Sequence, residues 1–120
     1  MLKNVAQRAY GRGHPRLPEL QHDLARLLVL RGRHDRALPL LRRLLGVFTD
    51  PARAAVTHAL LTHAAAGLGE AAGYERSWAE AWALLDAAAA APAAPAVLLH
   101  LGKAAALAED WLRVRMVGER

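Results

Sequence analysis

The chain has no cysteine and no isoleucine, and only one phenylalanine (Phe48), one serine (Ser77) and one asparagine (Asn4). The missing cysteine excludes disulfides, thiolate nucleophiles and cysteine-based zinc sites, and fits a reducing compartment. With isoleucine absent and aromatic residues at 5%, the palette for strands is poor. Alanine and leucine supply much of the 54% hydrophobic content. Both favour helix, and alanine lets helices approach closely. An all-α fold follows, and 120 residues suffice for one domain. Long apolar runs are missing too. The stretch 87–99 is mostly alanine and is broken by Pro92 and Pro95, so no segment reads as a membrane span. The opening Met1-Leu2-Lys3-Asn4 lacks the apolar core of a signal peptide. A soluble, cytoplasmic chain is expected.

Catalytic groups are equally scarce. Ser77 lies mid-helix beside Trp78 with no sharp turn around it. Gly67, Gly69 and Gly73 follow no strand and lead into no GK[ST] ending, so they do not describe a phosphate cradle. The six histidines (His14, His22, His34, His58, His63, His100) form neither HxxxH nor HExxH. His58 and His63 point to different helix faces, His34 beside Asp35 suits packing or capping at a turn, and His100 is expected at a helix flank. Trp78, Trp82 and Trp111 suit inter-helix packing better than base stacking. No enzyme, metal site or cofactor is expected.

Charge is unevenly placed. Residues 1–53 hold eleven bases against four acids, a net of +7, and the remainder holds five bases against seven acids, a net of −2. Such asymmetry suits an anionic partner for the first half, and leaves open a small basic nucleic-acid-associated regulatory protein. The excess of arginine over lysine, with abundant alanine, also matches the coding bias of a GC-rich genome.

Three stretches repeat one plan: a helix, a short break, the start of a second helix. The first has Leu24-Ala25, Gly32 and Ala37; the second has Leu61-Thr62, Gly69 and Tyr74; the third has Leu101-Gly102, Glu109-Asp110-Trp111 and Val114. Ahead of them, Leu2, Val5, Ala6, Ala9 and Tyr10 form a helical stripe closed by Gly11, Gly13 and Pro15. Helices are predicted over about 18–31, 35–45, 51–66, 70–90 and 96–108, with a last one from about 111. Expected inward faces are Leu20, Leu24, Leu27 and Leu28; then Ala37, Leu40, Leu41, Leu44 and Leu45; then Val56, Ala59, Leu60 and Ala64. The later ones are Tyr74, Trp78, Ala81, Trp82 and Leu85, followed by Val97, Leu98, Leu101 and Ala105. Asp35 is expected to cap the second helix, and Gly73 to disturb the first turn of the fourth. Ala91-Pro92-Ala93-Ala94-Pro95 reads as a linker.

On these residues the chain resembles tetratricopeptide (TPR) repeat proteins. The first unit carries Leu24-Ala25, Gly32, His34 in the aromatic place, Ala37 and the closing Pro51; the third carries Leu101-Gly102 with Trp111 in the aromatic place. The second departs, with Thr62 and Tyr74 where small residues are usual. Ala25, Thr62 and Gly102 are 37 and 40 residues apart, against the family's usual spacing of about 34. The resemblance implies antiparallel helical hairpins stacked as a short solenoid of about six to seven helices. Its parts would be a leading helix (1–13), repeat 1 (17–50), repeat 2 (51–91) and an incomplete repeat 3 (95–120). Alanine- and arginine-rich repeats of this kind resemble those of bacterial regulatory proteins.

The resemblance also implies a working face. In TPR proteins the first helix of each hairpin lines a concave side. Its ligand-facing positions fall here on Glu19, His22, Arg26 and Val29; on Val56, Ala59, His63 and Ala66; and on Ala96, Leu99, Lys103 and Ala106. His22, Arg26, His63 and Lys103 would make this groove mildly basic, suited to an acidic peptide segment. The family's carboxylate-clamp pattern needs asparagines that this chain lacks at those positions. The expected function is a non-catalytic protein-protein interaction module, a scaffold or regulatory domain, with self-association through open repeat ends as a further expectation.

Overall fold

A computed structural model of the chain describes residues 17–89 and 93–120. The expected leading helix over 1–13 lies outside the described residues, as does part of the linker before Ala93. The described residues form six helices: α1 Leu17–Leu30, α2 His34–Arg43, α3 Pro51–Leu68, α4 Ala71–Ala89, α5 Ala94–Leu107 and α6 Trp111–Gly118. The all-α expectation is met, and no described helix is long and apolar enough to cross a membrane.

The breaks inside the three hairpins, between α1 and α2, α3 and α4, and α5 and α6, close in the same way. Gly32 and Gly69 adopt left-handed backbone (φ 76° and 71°), and Glu109 does the same (φ 55°). In each case the next amide reaches back five residues: Arg33 N–H to the Leu28 carbonyl (2.8 Å), Glu70 N–H to Ala65 (2.9 Å) and Asp110 N–H to Ala105 (2.8 Å). This closure satisfies carbonyls that the helix end would otherwise leave without partners. Pro51 opens α3 at a first-turn position, behind an extended Asp50. Pro95 likewise sits in the first turn of α5 and not in a linker. Asp35 is not the cap of α2: that place falls to Arg33, with no side-chain hydrogen bond, and Asp35 stands in the first turn. Gly73 lies within regular α4 and leaves its first turn undisturbed.

α3 is the centre of the packing. It lies against α1, α2, α4 and α5, while α5 also meets α4 and α6. Two apolar clusters result. One joins Ala25 and Val29 of α1, Ala37, Leu38 and Leu41 of α2, and Leu60, Leu61 and Ala64 of α3. The other joins Ala52, Ala55, Ala59 and Ala65 of α3 to Tyr74, Trp78 and Leu85 of α4 and to Val97, Leu101 and Ala105 of α5. α3 serves both because it is apolar around its whole circumference, which marks a buried helix. Alanines there leave the neighbouring helices room to approach. The large side chains fully removed from water, Leu41, Leu60, Leu85 and Leu101, each stabilise the fold by roughly 1.5–3 kcal/mol.

The expected faces of α4 and α5 are correct in their buried members. That of α1 is rotated: Leu20 and Leu27 are exposed, Leu24 and Leu28 half-buried, and Leu17, His22, Ala25 and Val29 point inward. Leu45 of the second hairpin helix is exposed as well, and α2 stops at Arg43. Trp78 and Trp82 stack within α4, with ring centroids 5.6 Å apart. Trp111 is 64% exposed and packs little, against expectation.

Candidate functional site

The residues expected on one face divide by exposure. Glu19, Arg26, Leu99 and Lys103 are exposed, whereas His22, Val29 and His63 are enclosed between helices. Among the remaining positions, Ala59 is buried, Val56, Ala66 and Ala96 are half-buried, and Ala106 is exposed.

The buried histidines make defined contacts. His22 of α1 lies 3.0 Å from the Thr57 hydroxyl of α3. That hydroxyl donates to the Arg53 carbonyl (3.1 Å), so the His22 Nε2–H donates to Thr57. The His22 ring meets the Phe48 edge at 5.3 Å, and the Arg53 guanidinium covers the same Phe48 ring at 4.7 Å. Arg53 also pairs with Glu19 at 3.8 Å, which ties the start of α1 to α3.

A second histidine group crosses the molecule. His34 of α2, His63 of α3 and His100 of α5 follow one another, with centroid separations of 5.3 and 5.2 Å. The Nδ1 atoms of His63 and His100 are 3.0 Å apart. One ring therefore carries its proton on Nδ1 and donates; the other carries it on Nε2 and accepts. Burial, reinforced for each ring by its positive neighbours, lowers both pKa values to about 4. His100 is thus buried, not at a helix flank. Its separation from His63 is 37 residues, three short of the 40-residue spacing between these two units, so the repeat phase does not signal the pairing. Among the described residues no group of acidic or histidine side chains is arranged to hold a metal ion.

Arg26 and Lys103 stand at the edges of this histidine pair. Both positive charges act on His100, although Arg26 belongs to α1, which makes no backbone contact with α5, and Lys103 to α5 itself. α3 is the element that brings α1 and α5 to a common side. Two exposed cations therefore flank a neutral, buried imidazole pair, with Leu99 one helical turn from Lys103. That arrangement offers charge attraction to an anionic group, but no nucleophile paired with a base.

A separate groove opens on another side of α3. It is lined by Leu38 and Arg42 of α2, Leu45 just after that helix, His58, Leu61 and Ala65 of α3, and Gly73, Arg76, Ser77 and Glu80 of α4, and has a volume of about 510 Å³. The chain matches no known protein family, no curated protein and no solved structure.

Proposed function

We propose that the chain is a TPR-like protein-interaction module that binds an acidic segment of another protein through Arg26 and Lys103. The carrying observation is that two exposed cations, Arg26 of α1 and Lys103 of α5, lie close enough to the buried His100 for both charges to act on it. Charge of one sign over an apolar surface favours a partner segment rich in Asp and Glu. Leu99, half exposed one turn before Lys103 on α5, adds an apolar contact, and the pairing of Glu19 with Arg53 offsets its negative charge on α1.

Three features support stacked hairpins. Left-handed breaks recur at Gly32, Gly69 and Glu109, at the 37- and 40-residue spacings of the sequence repeat. Each helix packs on its sequence neighbour, and α1, α3 and α5 also pack in a row. The apolar interior is two clusters sharing α3 instead of one closed core.

The test is fluorescence-polarisation binding of Asp/Glu-rich peptides at low salt. Arg26→Glu combined with Lys103→Glu should weaken binding at least tenfold, and added salt should weaken the unsubstituted protein in the same direction. Unchanged affinity of the double variant would sink the reading.

A further inference from the structure

The groove between α2, α3 and α4 is independent of that face. Its α3 residues, His58, Leu61 and Ala65, form an i, i+3, i+7 stripe on the side of the helix away from His63 and Ala66. Its volume, about 510 Å³, falls in the range of small-molecule clefts. The floor is apolar: Leu38, Leu61 and Ala65 are buried beneath it, and exposed Leu45 forms one wall.

The polar groups are ordered along its length. Helices α3 and α4 are antiparallel, so Ala65 and Gly73 mark one end while His58 and Glu80 mark the other. Arg42 reaches the Gly73 end, where it pairs with Glu70. Gly73 lies beside that pair: a Cβ there would stand 2.7 Å from the Glu70 carboxylate oxygen, the free end of a flexible side chain, and 3.4 Å from the Ala65 side chain. Arg76 stands one turn further along α4 and makes no ion pair among the described residues. Glu80 and His58 close the far end, and burial keeps His58 below its ordinary pKa and hence neutral near pH 7.

We propose that this groove binds an aliphatic carboxylate, with the acid group on Arg76, because Arg42 is already held by Glu70, and the chain along Leu38, Leu61 and Leu45. Guanidinium groups recognise carboxylates by paired N–H donors. The leucine floor accepts a hydrocarbon chain, and Ser77 adds a hydroxyl between the two ends.

The experiment titrates the full chain with decanoate, followed by backbone amide shifts, with decyltrimethylammonium as the probe of opposite charge. Saturable decanoate shifts confined to α2, α3 and α4 are expected, at least tenfold weaker in Arg76→Glu and weaker in the same direction in Arg76→Gln. Arg76 is exposed, and unaltered helical circular dichroism would show that both variants fold. The peptide-face double variant, Arg26→Glu with Lys103→Glu, should bind decanoate as the unsubstituted chain does, which separates this site from the peptide face. Absence of saturation, equal binding of both amphiphiles, or full affinity in Arg76→Glu would overturn the proposal.

Discussion

The imidazole of His34 rests on the backbone of Gly67, in the space that a side chain at that position would fill. Gly67 is the next-to-last residue of α3, still helical, where glycine is less favourable than alanine by up to about 1 kcal/mol. The close approach of α2 offsets that loss by seating His34 against His63. Gly67→Ala should therefore lower stability by about 1–2 kcal/mol, since overpacking outweighs the gain in helix propensity. In a His34→Ala background the same change should raise stability by about 0.5–1 kcal/mol. Urea denaturation of the four proteins measures both. Equal effects in the two backgrounds would mean that His34 is not the obstacle.

Acid should weaken the fold through the His63–His100 pair. Both folded pKa values lie near 4, below the ordinary value of 6.5, so the unfolded chain binds more protons between those limits. Stability is then fully present above about pH 6.5 and is lost as pH falls toward about 4. The first proton taken up by the pair should cost about 2–3 kcal/mol near pH 4. Arg26, Lys103 and His34 act in the same direction on one or both rings. Denaturation midpoints across this window test the effect, and a His63→Leu, His100→Leu double variant should flatten the profile. A profile equally steep in that variant would assign the acid sensitivity elsewhere, to His22 or His58, which burial also shifts downward.

Local signals and tertiary ones part company in α1. The break at Gly32 and the Tyr74–Trp78–Leu85 face of α4 were legible because each depends on one residue type or one helical period. The inward face of α1 was not, because leucines occupy both of its sides and periodicity alone cannot choose between them. Packing settles it: close approach to α3 needs the small Ala25 inside, and leaves the larger Leu20 and Leu27 exposed. The site follows the same division. The repeat phase put Arg26 and Lys103 at equivalent positions of their units, and both are exposed. The partner of His63 was hidden, because His100 stands one turn before Lys103, the residue the phase aligns with His63. Only the register of α5 against α3 brings the two rings together.

Glu109 carries the left-handed conformation that Gly32 and Gly69 carry at the equivalent breaks of the first two hairpins. A side chain disfavours that conformation by roughly 1–2 kcal/mol, partly countered by the larger unfolded-state entropy of glycine. Glu109→Gly should thus stabilise the fold by about 0.5–1 kcal/mol. The reverse change, Gly32→Ala, should destabilise it by about 1 kcal/mol through backbone strain alone, because nothing lies within 4 Å of the added carbon. Thermal unfolding of both variants checks the pair of signs. Destabilisation by Glu109→Gly would show that the glutamate side chain contributes more than its backbone conformation costs.

The last helix depends on polar contacts more than on burial. α6 has no fully buried residue, and only Val114 and Val117 lean on the second core. Asp110 caps it through a long hydrogen bond from the Arg113 amide (3.4 Å) and accepts the Tyr74 hydroxyl at 3.0 Å. Arg113 pairs with Glu75 at 2.7 Å and lies over Trp78, 4.9 Å from the ring centre. These contacts fix α6 to α4 across sequence separations of 36 and 38 residues. Asp110→Ala removes the cap and the Tyr74 acceptor together, and should cost about 1–2 kcal/mol, confined to α6. Tyr74→Phe keeps the cap and should cost about 1 kcal/mol. Amide hydrogen exchange distinguishes the two: protection should fall through Trp111–Gly118 in Asp110→Ala while α3 amides keep theirs. Equal loss of protection in α3 and α6 would mean that the last helix unfolds only with the whole chain, and that its polar attachment is not a separate unit of stability.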